Sequence, residues 1–188
     1  MRYSYAIGPL SASLRDDHRM VRVSFEPYSP EWPRIFAAEE QRVGAALTGL
    51  GVEVHHAGST SVPGLLAKPI IDIVLGVPDS TDEAPYMQAL VGAGYEFVLR
   101  EPDWFEHRLF KRVDPKVNLH VFSIGSPEIE RMLAFRDHLR VNESDRQLYE
   151  STKLALGERE WATVQDYADS KSEVVTGILA RAIAAREW

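Results

Sequence analysis

From Pro69 to Val77 the chain reads Pro-Ile-Ile-Asp-Ile-Val-Leu-Gly-Val, apolar on both alternating faces except at Asp72. A strand with one wet face alternates apolar and polar residues, whereas a continuous Ile/Val/Leu run belongs to a strand covered on both sides. This segment therefore calls for a sheet with further layers packed on it. It also singles out Asp72, because an ionised carboxylate in such a strand is costly unless it is paired or binds a metal.

The flanking sequence supplies the other layers. Val21 to Phe25 reads as a first strand. Ser29 with Pro30 opens a helix, in which Trp32, Ile35, Phe36, Val43, Ala46, Leu47 and Leu50 form one apolar stripe and Gly49 and Gly51 supply the stop. Glu53 to Ala57 is a short strand, and Gly58 to Gly64 is rich in turn residues. The Ser80-Thr81-Asp82-Glu83 capping-box pattern predicts a helix to about Gly92. Tyr95 to Leu99, Phe105 to Val113 and Val117 to Phe122 read as strands, with Asp114-Pro115-Lys116 turning between the last two. Three helices follow, one opened by Ser126-Pro127, one by Ser144 with Gln147, and one from about Glu160 to Ala185. The sum is an α+β domain with a mixed sheet and a helical C-terminal cap.

At 188 residues there is room for one domain. Residues 1–20 lack steady periodicity and read as an N-terminal extension, with 21–188 as the domain and Met20 as a candidate physiological start in place of Met1. Cysteine is absent, which removes disulfides, thiol nucleophiles and thiolate zinc sites and suits a reducing cytoplasm. No apolar run is long enough to span a membrane, so no membrane partner is expected. The formal net charge of -7 repels phosphate backbones at long range and disfavours nucleic acid as a partner, while leaving room for a locally basic pocket.

The candidate site residues lie around Asp72. Gly58-Ser59, thirteen positions before it, ends a strand at a turn where glycine lets a ligand approach and Ser59, Thr60 and Ser61 offer hydroxyls. Lys68 stands just before the buried strand, able to neutralise a phosphate. His56 and His120 lie in strand patterns beside polar turns, and a neutral imidazole can serve as ligand or base. The cases for His55 and His107 are weaker. Arg108 and Arg112 share a strand face on which two guanidinium groups could grip an anionic substrate.

The stretches His56-Ala57-Gly58-Ser59-Thr60-Ser61-Val62-Pro63-Gly64-Leu65 and Ala67-Lys68-Pro69-Ile70-Ile71-Asp72-Ile73 resemble the signature of the GrpB family. Pro27 to Trp32, Leu119-His120-Val121, Phe135 to Arg140, Tyr149 with Lys153, and Tyr167 with Lys171 fit further landmarks of that family in the right order. The resemblance implies the nucleotidyltransferase, polymerase-beta-like fold, with Gly58-Ser59 as the nucleotide-phosphate turn and Asp72 as the acidic metal-strand position. Family members also occur fused to dephospho-CoA kinase, where the domain has been described as a folding accessory. Active nucleotidyltransferases carry a second acidic residue two positions on, and a third on a later strand, to hold two ions. Here those places fall to Val74 and, on the later strand, His120. The expected activity is transfer of a nucleotidyl group from a nucleoside triphosphate to a small acceptor. Asp72 and His120 would then be catalytic and metal-binding residues for Mg2+ or Mn2+, with Gly58, Ser59, Thr60, Ser61, Lys68, Arg108 and Arg112 on the anionic substrate. The alternative is a non-catalytic nucleotide- or anion-binding or folding accessory domain linked to CoA metabolism. The chain would act as a monomer or homodimer.

Overall fold

The structure is a computed structural model that describes residues 21–185; the N-terminal extension and the choice between Met1 and Met20 lie outside the described residues. Its centre is a five-stranded sheet in the order β2-β3-β6-β5-β4, formed by β2 (Glu53–Ala57), β3 (Ile71–Val77), β4 (Glu96–Glu101), β5 (His107–Arg112) and β6 (Val117–Ser123). The pair β3–β6 is parallel and the other pairs are antiparallel, so the sheet is mixed. The doubly apolar strand β3 occupies an interior place between β2 and β6, as its pattern requires.

Alternation along the strands divides the sheet into two faces. On one, Ile71, Ile73, Leu75 and Val77 join Phe110, Val117, Leu119 and Val121 in the largest apolar cluster. This cluster includes Trp32 and Val43 of α1 (Glu31–Ala46), Leu47 just past its end, and Leu90 of α2 (Met87–Gly92). Ser29 Oγ accepts the Glu31 amide at 3.2 Å, and Pro30 already has helical angles. On the other face, Ala57, Val74 and Phe122 meet Ile129 of α3 (Pro127–Val141). Ser126 caps α3 as expected, its side chain accepting from the Glu128 amide.

Three sequence expectations change. The helix expected from Ser80 begins only at Met87. Ser80 is buried, its amide and hydroxyl bonded to Ser123 Oγ, while the Glu83 carboxylate turns to Arg100 and Arg108 instead of back to the helix start. α4 (Glu143–Gly157) is capped by Asn142 rather than Ser144, with Asn142 Oδ1 accepting from the Asp145 amide at 3.0 Å. The single C-terminal helix resolves into β7 (Glu160–Trp161), α5 (Val164–Asp169) and α6 (Ser172–Ala184). β7 pairs with β1 (Val21–Arg22), and a reciprocal Thr163–Asp166 capping box starts a new helix after it. Among the described residues no helix is long and apolar enough to cross a membrane.

Candidate functional site

The open part of the α3 face is a cleft of about 410 Å³ between the sheet and the C-terminal helices. Gly58 enters it at the end of β2. Its angles, φ 66° and ψ -173°, lie in a region that is essentially glycine-only. A side chain would meet a second barrier as well: a Cβ there would stand 2.2 Å from Asp72 Oδ2. The sequence Gly58…Asp72 is thus one structural unit in which the turn lies directly against the carboxylate.

Two of the three turn hydroxyls serve the turn itself. Ser61 Oγ donates to the Gly58 carbonyl at 2.6 Å, and Thr60 Oγ1 bonds His56 Nε2 at 3.1 Å and the Ile70 carbonyl. Arg136 and Arg140 of α3 donate to the carbonyls of His56 and Ser61, tying the turn down from outside. Ser59 is the hydroxyl that meets a cleft cation: Lys153 Nζ donates to its Oγ at 3.2 Å and also to the Leu66 carbonyl. His56 stacks on Phe36 with ring centroids 4.7 Å apart, and burial lowers its pKa to about 4. It is a neutral ring of the fold.

Lys153 is almost wholly buried, yet its ammonium lies on a hydroxyl, a carbonyl and the Tyr149 ring (4.8 Å). Lys68 and Lys171 stand 4.6 and 4.7 Å from the Tyr167 ring. Three cations thus line one wall, held largely by aromatic faces. Burial, reinforced by the Lys171 charge, lowers the pKa of Lys153 to about 7 and that of Lys68 to about 8. Tyr149, Lys153, Tyr167 and Lys171 carried no assigned role at the level of sequence, because only folding brings α4, α5 and the start of α6 over the Gly58-Ser59 turn.

At the sheet end of the cleft, Asp72 pairs in register with Asn118, whose Nδ2 donates to Asp72 Oδ1 at 2.8 Å. His120 Nε2 lies 3.9 Å from the same oxygen. Val74, on this face of β3, is buried in the apolar cluster with Ala57, Phe122 and Ile129. These residues do not fit a two-magnesium centre. Asp72 supplies the carboxylate, Asn118 turns a donor rather than an oxygen toward it, and magnesium prefers an octahedron of oxygens. Among the described residues no group of three or more His, Asp or Glu side chains is placed to hold a metal ion.

Arg108 and Arg112, expected on the cleft wall, lie on the opposite face of β5, since His107, Leu109 and Lys111 take the cleft side. Arg108 is buried in ion pairs with Glu83 (2.8 Å) and Glu106 (3.0 Å). Arg112 reaches Glu39, a buried carboxylate of α1 that also accepts from the Tyr95 hydroxyl. Both arginines therefore hold the fold together rather than facing the cleft.

Residues 22–181 match the GrpB protein family. The chain belongs to the GrpB family. It is 54% identical over 155 residues to a UPF0157 protein of Halalkalibacterium halodurans, covering 82% of this chain and 80% of that one. It is 45% identical over 166 residues to a UPF0157 protein of Streptomyces coelicolor, covering 88% and 87%. The solved structure of GrpB from Enterococcus faecalis superposes with a TM-score of 0.76 at 27% identity, covering 88% of this chain and all of that chain. A cytoplasmic RNA terminal U-transferase superposes with a TM-score of 0.51 at 16% identity, over 71% of this chain and 41% of its own. That likeness concerns the fold: this GrpB chain has a nucleotidyltransferase-like, polymerase-beta-like architecture, in agreement with the expectation from sequence.

Proposed function

We propose that this GrpB protein binds a phosphorylated small molecule of the nucleotide class in the cleft, with its phosphates on the Gly58-Ser59 turn and on Lys68, Lys153 and Lys171. The observation that carries the reading is Lys153, a buried ammonium that bonds a hydroxyl and a carbonyl and whose charge is disfavoured until an anion arrives. Trp104, Leu109, Met132 and Phe135 give the cleft an apolar wall suited to a base, and its volume is within the range of small-molecule sites. Two-metal nucleotidyl transfer is not part of the reading, because Val74 and His120 stand where the further carboxylates would hold the ions and Asn118 turns a donor to Asp72. The binding is independent of divalent cations.

The test is a thermal-shift and calorimetry series with ATP, CTP, GTP and UTP, each with and without magnesium or manganese. Stabilisation by at least one triphosphate in the presence of EDTA is the expected result. No shift with any of the four at millimolar concentration refutes nucleotide binding. A shift that appears only with the metal refutes the metal-independent reading and restores the two-ion one.

A further inference from the structure

A line of polar side chains runs through the sheet from β4 to the cleft. Glu101 Oε2 lies 2.8 Å from His107 Nδ1, and His107 Nε2 lies 3.0 Å from His120 Nδ1. His120 Nε2 then faces Asp72 Oδ1 across 3.9 Å, beyond hydrogen-bond reach. The two imidazoles are stacked with centroids 5.1 Å apart. Trp104 packs edge-on to His107 at 4.5 Å, and Phe122 lies 4.8 Å from it. His107 has no exposed surface. Three polar side chains buried in one apolar layer are costly to the fold, and Glu101 Oε1 even lacks a hydrogen-bond partner.

Counting hydrogens along the line shows what it does. Burial, then the charges of His120 and Arg108, push the His107 pKa far down, so its ring carries one hydrogen. Burial raises Glu101 to about 7, so above that pH it is a carboxylate and can only accept. His107 therefore donates from Nδ1 to Glu101 and presents a bare Nε2 to its neighbour. His120 must donate to it from Nδ1. Its own Nε2, at the cleft, is left beside a carboxylate that already takes the Asn118 hydrogen.

We infer that His120 Nε2 and Asp72 form a pocket of two hydrogen-bond acceptors for a hydroxyl of the bound ligand, and that Glu101 and His107 are positioning residues that keep the His120 ring hydrogen on Nδ1. An acceptor pair repels phosphate oxygens and suits a group with hydrogens to give. Asp72 lies against Gly58 and Lys153 against Ser59, so the hydroxyl and the phosphate would sit side by side along that turn. The ligand half of the inference rests on the nucleotide reading above; the ring arrangement does not.

Long-range 15N–1H correlation spectra of the histidine rings at pH 8 test it in the free protein. His107 and His120 are both expected in the Nδ1–H form, with His120 Nε2 bare. A hydrogen on His120 Nε2 overturns the inference. Glu101→Leu should redistribute the ring hydrogens and Glu101→Asp should retain them; unchanged ring signals in folded Glu101→Leu overturn the positioning role. If that variant does not fold, the wild-type spectra alone decide. ATP should shift the His120 Nε2 resonance and bind about tenfold more tightly than 2′,3′-dideoxy-ATP, the loss expected for one net hydrogen bond. Bound ATP that leaves Nε2 unmoved, or equal affinity for the two, overturns the hydroxyl pocket. Absence of ATP binding removes the nucleotide reading and the hydroxyl assignment with it, while the free-protein spectra still decide the ring arrangement.

Discussion

Replacing Lys153 by Met should make the free protein more stable and deprive it of its phosphate site. The displacement of the Lys153 pKa from 10.5 to about 7 corresponds to a cost of about 5 kcal/mol for keeping the ammonium in place at pH 6. Methionine follows the same straight stem between Tyr149 and Phe25 without that charge. It also forfeits the bonds to the Leu66 carbonyl and Ser59 Oγ, a loss of roughly 3 kcal/mol for a buried carbonyl and a hydroxyl left unmet. A net gain of about 2 kcal/mol remains, or roughly 4–8 °C in Tm for a domain of this size. The pH dependence is more decisive than the size. Between pH 7 and 10.5 the unfolded chain keeps a proton on this lysine that the folded chain has released, so wild-type stability rises with pH relative to the variant. The advantage of Lys153→Met should shrink by roughly 2–3 kcal/mol from pH 6 to pH 9. Urea unfolding of both proteins at these two pH values, followed by circular dichroism, measures it. A variant less stable than wild type at pH 6, or a gap that does not change with pH, refutes the reasoning.

Binding should also draw protons. A bound phosphate restores the charges of Lys153 and Lys68, so calorimetry in buffers of different ionisation enthalpy should show uptake of about one to one and a half protons per ATP at pH 8, against almost none at pH 6. Gly58→Ala places a Cβ 2.2 Å from Asp72 Oδ2 on a backbone that alanine avoids; chemical denaturation should show a loss of ~2 kcal/mol or more, together with lost nucleotide affinity. Arg108→Met removes a buried partner of Glu83 and Glu106 and should lower stability by about 1–3 kcal/mol. ATP affinity in that variant, measured by calorimetry, should stay within twofold of wild type, since Arg108 faces away from the cleft.

Local patterns carried the fold a long way. The buried strand around Asp72, the apolar stripe from Trp32 to Leu50 and the Ser126-Pro127 cap each express a preference that the neighbouring chain decides, and each stands where its pattern puts it. Where distant groups compete for the same atoms, the pattern misleads. Ser80 and Glu83 have the spacing of a capping box, but Ser123, Arg100 and Arg108 engage them from other strands. The site divides in the same way. Gly58, Ser59 and Asp72 are close in sequence and could be paired there, because one turn and one strand bring them together. Lys153 and Lys171 approach from helices beyond residue 140, unlike Lys68, and Glu101 lies two residues past the expected end of its strand, so nothing local tied it to His107 and His120. The sidedness of Arg108 and Arg112 was legible as a shared face, but which face meets the cleft depends on how β5 is laid against β6.

The loss of the paired carboxylates and the presence of the lysines belong to one argument. Divalent ions in a nucleotidyltransferase bring positive charge to a polyphosphate, and the carboxylates are there to hold those ions. With Val74 in the apolar cluster and Asn118 donating to Asp72, the cleft cannot recruit that charge from solution in the same form. It carries charge of its own instead, on Lys68, Lys153 and Lys171, and spaces these cations with tyrosine rings that stabilise each ammonium without neutralising it. The charges of Asp72 and Glu150 offset only part of the burial of Lys68 and Lys153, so both ammoniums stay disfavoured in the free protein. On the proposed reading Asp72 serves as an acceptor beside His120 rather than as a metal ligand. On the same reading the cleft holds phosphate by fixed charge, so its affinity should depend on pH through the lysines and not on added magnesium.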